Sequence, residues 1–424
     1  MWSTFDSGAL LLVFATVVAI ANDHTLRLPR PIAMLVAALA ASAVILAVSA
    51  LVPSINLASL TERRLVGADL PDVLLNGVLA LLLFATSLRT DLAGLRRHAR
   101  PIFWLATLGV AIAMLVFGIG IHAVLRLIGI DIPLAWCLVL GAILAPTDAV
   151  VVEQLVAKVN LPADVKALIS GESLFNDGAA VVFFFAALAA ATGADTPGHG
   201  HIVMQLLIEG FGGALLGFIA GLLARQAMRF SRDPNIAVTI SLALVLATYR
   251  SATLLELSGP IAVVVAGLTM RNWPVSARAA APWRRRISQL WSMVDELVNT
   301  LLFLLMGFEV LTIPLGTTSV IAILCAIPLS LAARLASVTI PLAFARSLPR
   351  ADRLKSIGVL TWTGLRGGIS IALVLGLPDS PYRETLAVIC YALVIFSVVV
   401  QGLTTPAVVS LIYGAGAPGA ANKG

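Results

Sequence analysis

Two stretches, Ala145-Pro146-Thr147-Asp148-Ala149 and Gly171-Glu172-Ser173-Leu174-Phe175-Asn176-Asp177-Gly178, place three carboxylates inside long apolar runs. A charge at the centre of a bilayer costs at least about 2.5–3.5 kcal/mol on insertion scales, so each asks for a function or a partner. Pro146 lacks an N–H and breaks its run near the middle, freeing backbone carbonyls from their helical donors. Irregular backbone at that depth is tolerated only where it faces protein or a wet cavity. Thr147 and Asp148 sit at the break and offer a carbonyl, a hydroxyl and a carboxylate, the hard oxygens with which a small cation replaces its water.

The whole chain has the composition that such a reading needs. Of its 424 residues 59% are hydrophobic and 12% charged, and the mean hydropathy is +1.00. Soluble domains carry roughly 25% charged residues. A water-soluble enzyme is thereby excluded, and an all-α polytopic membrane protein is the expected class. Cys137, Cys325 and Cys390 lie in apolar stretches at wide spacing, which fits neither a metal site nor a disulfide framework. No motif calls for a cofactor. The apolar run Gly8–Ala21 lacks a basic flank and reads as a first span, not a removed signal peptide.

A bilayer core of about 30 Å takes roughly 20 apolar residues per helix. Thirteen spans are expected, over 8–22, 31–52, 72–88, 101–128, 133–155, 167–192, 202–224, 235–249, 258–270, 291–312, 317–345, 356–377 and 385–413. Lys and Arg number 21 in the odd connections and the C-terminal tail, against 4 (Arg63, Arg64, Arg250 and Arg383) in the even ones. Cytoplasmic loops carry that excess, which puts the N-terminus outside and the C-terminus in the cytoplasm of an inner membrane. The sequence pI of about 9.6 therefore records topology and not a nucleic-acid partner. The basic loop Arg271–Gln289, with Trp283, is expected as an interfacial helix on the anionic leaflet.

Helical spacing sorts the sixth span. Ser173 and Asp177 are i, i+4 and share a face; Glu172 and Asn176 are i, i+4 on a face turned by about 100°. One face is free to coordinate an ion while the other is held by protein. Burial disfavours a charged carboxylate and a bound cation favours it, so proton and cation compete at Asp177, which is the basis of exchange. The bland alternative for Asp148 and Asp177 is that they hydrogen-bond the broken backbone. Glu153, near the cytoplasmic end, reads as a vestibule charge, and Arg126, Glu209 and Glu309 read as snorkelling span-end charges.

The second half repeats the pattern. Thr361-Trp362-Thr363-Gly364-Leu365-Arg366-Gly367-Gly368-Ile369-Ser370 sets three glycines around a mid-span arginine, a second interrupted helix. Paired interruptions in two halves point to a transporter site built on inverted repeats with two crossing broken helices. Arg334, in Leu331-Ala332-Ala333-Arg334-Leu335-Ala336-Ser337, is always charged and needs a carboxylate, for which Glu172 is the candidate. A passive channel needs a continuous polar path, whereas one compact acidic site is present. No HExxH or GxSxG supports an intramembrane enzyme, and the His199/His201 pair reads as a solvated outer loop.

The ordered set APTDA, GESLFNDG, LAARLAS and LRGGIS resembles the NhaP/NHE-type monovalent cation–proton antiporters of prokaryotes. The resemblance implies that Na⁺ is held by Asp177, Ser173 and the Thr147 backbone, with Asp148 beside them, and that Asn176 stands where electrogenic relatives carry a second aspartate. One-for-one electroneutral exchange follows from that. It also implies that Arg334 pairs with Glu172 and that Arg366 stabilises the helix crossing. By the same likeness the chain is a homodimer. Scaffold and dimerisation helices fall in 1–100 and 202–312, ion-transporting core helices in 101–192 and 317–413, and a short cytoplasmic tail in 414–424. Many relatives carry a glutamate where this chain has Ala85, within Phe84-Ala85-Thr86-Ser87, so selectivity among Na⁺, Li⁺ and K⁺ is left open.

Overall fold

The computed structural model describes residues 4–51, 79–89, 92–156, 159, 161–193, 199–230, 233–271, 277–309, 317–344 and 350–414. Residues 72–78 of the third expected span, the tail beyond Gly414, and the side chains of Glu153, Trp283, His199 and His201 lie outside them. Among the described residues every regular element is helical.

The helices are α1 (Thr4–His24), α2 (Arg30–Leu51), α3 (Leu79–Arg89), α4 (Leu92–Arg97), α5 (Ala99–Leu127), α6 (Leu134–Ile143), α7 (Ala149–Val156) and α8 (Ala163–Thr192). There follow α9 (His199–Phe230), α10 (Pro234–Leu254), α11 (Gly259–Arg271), α12 (Ala277–Glu309), α13 (Thr317–Phe344), α14 (Arg350–Trp362), α15 (Gly368–Leu375) and α16 (Arg383–Tyr413). Eight stretches among the described residues are long and apolar enough to span a bilayer. The rest of the expected spans are shorter apolar stretches: Gly8–His24 of α1, α3, α11, and two that divide into the half-helix pairs α6/α7 and α14/α15. All thirteen expected spans thus meet helix where they are described.

One expected boundary moves. The basic segment before the tenth span is helical, as expected, but it is continuous with that span: α12 runs unbroken from Ala277 through Gln289 to Glu309. Its arginines lie on a helix that satisfies its own backbone, so the charge density that reads as a loop interrupts nothing.

The breaks have local causes. At Ile143 the chain leaves the helix and passes through Pro146, and Asp148 restarts it, its carboxylate accepting the Val151 N–H at 3.3 Å. At Trp362 the second helix stops, and Gly367 is extended (φ −121°, ψ −164°) before α15 begins. The two unwound strands cross and are tied by the Asp148 N–H, which donates to the Leu365 carbonyl at 2.8 Å. Gly367 is needed for the close approach, since a Cβ there would lie 2.6 Å from Asp148 Oδ2.

Around the crossing, one large apolar core joins α5, α6, α8, α13, α14 and α16 with residues of α1, α2 and α12. A second gathers α3, α9, α10, α11 and α12 around Trp291 and Phe84. A small third cluster, Leu82, Val298, Leu302 and Ala372, bridges α3, α12 and α15. The exposed face of α9 (Phe211, Leu215, Phe218 and Leu223) has the apolar surface that lipid tails cover.

Candidate functional site

A small cavity lies at the crossing, lined by Leu82, Thr86, Pro146, Thr147, Asp148, Ser173, Asp177, Gly367, Gly368, Ile369 and Ser370, with room of ≈ 20 Å³. That is about one water-sized occupant. Asp148, Thr147, Ser173 and Asp177 are therefore brought together on one space. Asp177 and Ser173, one turn apart on α8, present a carboxylate and a hydroxyl to it.

Each group is held. The Ser173 hydroxyl donates to the Thr147 carbonyl at 2.5 Å. The Asn176 amide donates to Thr147 Oγ1 at 2.8 Å. Two side chains of α8 thus grip the unwound part of the neighbouring broken helix. The second break is gripped in the same way by α16. Its Ser397 hydroxyl accepts the Arg366 N–H at 2.9 Å, and its Gln401 amide donates to the Trp362 carbonyl at 3.2 Å. Both Ser397 and Gln401 lie in a single widened π-turn, a feature common at functional sites. The parallel between the two breaks is the inverted-repeat relation expressed in hydrogen bonds.

Two guanidiniums face freed carbonyls. Arg366 donates to the carbonyls of Ala145 at 3.0 Å and Pro146 at 3.3 Å, just past the end of α6. Arg334 donates to the Leu360 carbonyl near the end of α14, at 3.2 and 3.0 Å. Helix C-termini carry partial negative charge, so both placements are favourable. Arg334 also forms a bidentate pair with Glu172, with Nη2 to Oε2 at 2.9 Å, and both side chains are buried. The Glu172 charge is consequently engaged by protein, while that of Asp177 faces the cavity.

Several neighbours were not singled out from sequence. Thr86 and Ser370 line the cavity, and Ser397 and Gln401 serve the second break. Thr86 donates to the Leu82 carbonyl four residues back, and such a hydroxyl leaves no hydropathy signal. Ala85 is fully buried in the second core against Phe84 and Trp291, and its neighbour Thr86 faces the cavity. Glu309 is not a snorkelling charge: it shares a hydrogen bond with the buried Tyr391 phenol of α16. Arg126 is exposed at the end of α5. Cys137 and Cys390 are buried and Cys325 is half-buried, all as free thiols.

Two crossed discontinuous helices with oxygen ligands at their breaks define a multi-pass membrane transporter of the inverted-repeat class. The chain matches the family described as sodium/hydrogen exchanger, transmembrane, over residues 11–411, and it belongs to that family. It is 34% identical over 418 residues to the Na⁺/H⁺ antiporter NhaP of Pseudomonas aeruginosa, covering 97% of this chain and 98% of that one. It is 33% identical over 336 residues to the Na⁺/H⁺ antiporter NhaG of Bacillus atrophaeus, covering 78% of this chain and 62% of that one. The fold is that of the sodium proton antiporter MjNhaP1 from Methanocaldococcus jannaschii at pH 8, with a TM-score of 0.74, 17% identity, and 97% and 99% coverage. The protein is accordingly a transporter of the Na⁺/H⁺ antiporter family and not an enzyme.

Proposed function

We propose that this chain exchanges Na⁺ or Li⁺ for H⁺, one for one and without net charge movement, at Asp177. The observation that carries the reading is the cavity at the helix crossing, where Asp177, Ser173, Thr147 and Asp148 meet in a volume of ≈ 20 Å³. So small a space suits an ion stripped of its water and held by protein oxygen. Asp177, the Ser173 hydroxyl and the Thr147 carbonyl are its ligands, with Asp148 beside them.

Electroneutrality follows from which charges are free to trade. Asn176 is a neutral amide committed to Thr147. Glu172 is committed to Arg334, and Asp148 accepts a backbone N–H of α7. Asp177 is left to carry either one proton or one monovalent cation, and both loaded forms have equal charge. K⁺ on the same site is the second reading.

Alternating access needs two sides. The apolar cluster of Leu82, Val298, Leu302 and Ala372 packs beside the ion cavity, which Leu82 lines. A second cavity of ≈ 750 Å³ lies between α2, α7, α12 and α16, lined by Asp23, Arg27, Arg30, Gln154 and Glu296 among others. With the N-terminus outside and the C-terminus in the cytoplasm, that cavity lies on the cytoplasmic side. The helices within 101–192 and 317–413 are the moving core, those of 1–100 and 202–312 the scaffold, and two copies pair through the scaffold in the bacterial inner membrane.

The test is Na⁺-induced dequenching of a pH-sensitive dye in proteoliposomes, wild type beside Asp177→Asn, under a K⁺/valinomycin clamp. Cation-coupled proton movement that is lost in the mutant, and that ignores voltage in the wild type, supports the reading. Exchange that survives in Asp177→Asn, or that scales with voltage, overturns the site or the stoichiometry respectively.

A further inference from the structure

The hydroxyl of Ser370 is fully buried, lines the ion cavity, and has no hydrogen-bond partner. Helical serines and threonines usually return their hydroxyl to a carbonyl one turn back. Thr86, Thr107, Ser356, Thr363 and Thr405 all do so here. Ser370 has no such recourse. It is the third residue of α15, and the four positions before Gly368 belong to the unwound segment, so no helical turn lies beneath it. Its own carbonyl also accepts the Cys390 thiol, at 3.8 Å. A buried hydroxyl left unpaired costs free energy, and in native structures such a group asks for an explanation.

We infer that Ser370 Oγ is a further cation ligand, supplied by the second broken helix to the site whose other ligands come from the first broken helix and α8. The inference rests on the cation-exchange reading above and extends it. Ser370 shares with Asp177, Ser173, Thr147 and Asp148 the lining of a cavity about one water across. A hydroxyl has one proton and two lone pairs, so Ser370 can ligate the ion with oxygen while its proton turns to a neighbouring carboxylate. Asp148, packed against Gly367, places negative charge at the N-terminal end of α15, where the helix dipole alone would oppose a cation. With Ser370 included, the ion touches both crossed helices, and its departure loosens a contact between the two halves of the repeat. The oxygen count, and with it the preference among Li⁺, Na⁺ and K⁺, then depends on residue 370.

The experiment compares Ser370→Ala and Ser370→Cys with wild type and Asp177→Asn, in full-length protein. It measures thermal unfolding in detergent with NaCl against choline chloride, and Na⁺ and Li⁺ KM in proteoliposomes. Without Na⁺, Ser370→Ala should unfold no earlier than wild type, because it removes an unpaired buried group. With Na⁺, both variants should show a reduced stabilisation, and their Na⁺ KM should rise on the order of tenfold, the size of one lost interaction with a charged group. The sulfur of Ser370→Cys fills the space but is a soft ligand, so loss in both variants identifies the oxygen. Wild-type KM and stabilisation in both variants, or loss in only one of them, overturns the inference and leaves the Asp177 reading intact. If wild type and Asp177→Asn respond identically to Na⁺, the exchange reading itself fails.

Discussion

Arg334 and Glu172 form a bidentate ion pair that joins α13 to α8, while the same guanidinium holds the Leu360 carbonyl near the end of α14. One side chain therefore ties three helices beside the ion cavity. Both partners are buried, so their desolvation is offset chiefly by each other and by that carbonyl.

Removing one partner should then cost far more than removing both. Glu172→Gln leaves a buried guanidinium without its counter-charge, and breaking a buried pair in this way is destabilising by about 3–5 kcal/mol. Glu172→Leu with Arg334→Met removes both charges and should recover most of that loss. Thermal unfolding of the purified variants checks this. A double variant as unstable as the single one would mean that the carbonyl contact, not the pair, holds the helices.

Gly367 gives a second, steric prediction. Its backbone is extended, which any residue can adopt, so Gly367→Ala carries no backbone strain. What it carries is a Cβ 2.6 Å from Asp148 Oδ2, and a contact that close forces the carboxylate or the crossing to shift. Transport should fall at least about tenfold, given that a 1 Å misplacement at a reacting site can cost about a hundredfold. Expression and melting temperature should change little. Unaltered Na⁺ affinity in this variant would show that Asp148 has room to move.

How much of this was legible beforehand differs by residue, for physical reasons. Pro146 and the trio Gly364, Gly367 and Gly368 announce the two breaks because they remove donors or side chains that a span needs. Asp148, Glu172, Asp177, Arg334 and Arg366 stand out because charge in an apolar run is costly. Thr86, Ser370 and Ser397 carry no such mark. A hydroxyl can pass unnoticed in any span, and only the three-dimensional crossing shows that the carbonyl beneath Ser370 is missing. Glu309 was misread since its partner, Tyr391, is distant in sequence. A helix over Ala277–Gln289 is expected from sequence, but its unbroken run into the tenth span is not, because arginines on a helix surface mark no boundary.

Arg366 tests whether geometry or charge matters at the crossing. Its guanidinium reaches two successive carbonyls at once, while its main-chain N–H is held by Ser397. Both bonds leave one nitrogen, Nη1, and the shorter lysine side chain keeps the charge but ends short of that position. Arg366→Lys should therefore lower the maximal rate by roughly tenfold through the loss of one charge-assisted bond. It should leave the Na⁺ KM close to wild type, since no ligand is removed. Initial rates across a Na⁺ series separate the two, and a change confined to KM would move Arg366 from the scaffold of the crossing to the ion.

The competition at Asp177 makes the last prediction quantitative. The carboxylate holds either a proton or a cation, and Asn176 cannot titrate. Lowering pH fills Asp177 with protons, so apparent Na⁺ KM should rise as pH falls. In the acidic limb the rise should approach tenfold per pH unit, the mass-action limit for one proton displaced by one ion. Maximal rate at saturating Na⁺ should stay nearly level over the same range, because excess cation displaces the proton. Proteoliposome rates at several external pH values, each over a full Na⁺ titration, give both quantities. A pH profile of the rate that is the same at low and at saturating Na⁺ would rule out a shared site and require a separate titrating group that gates transport.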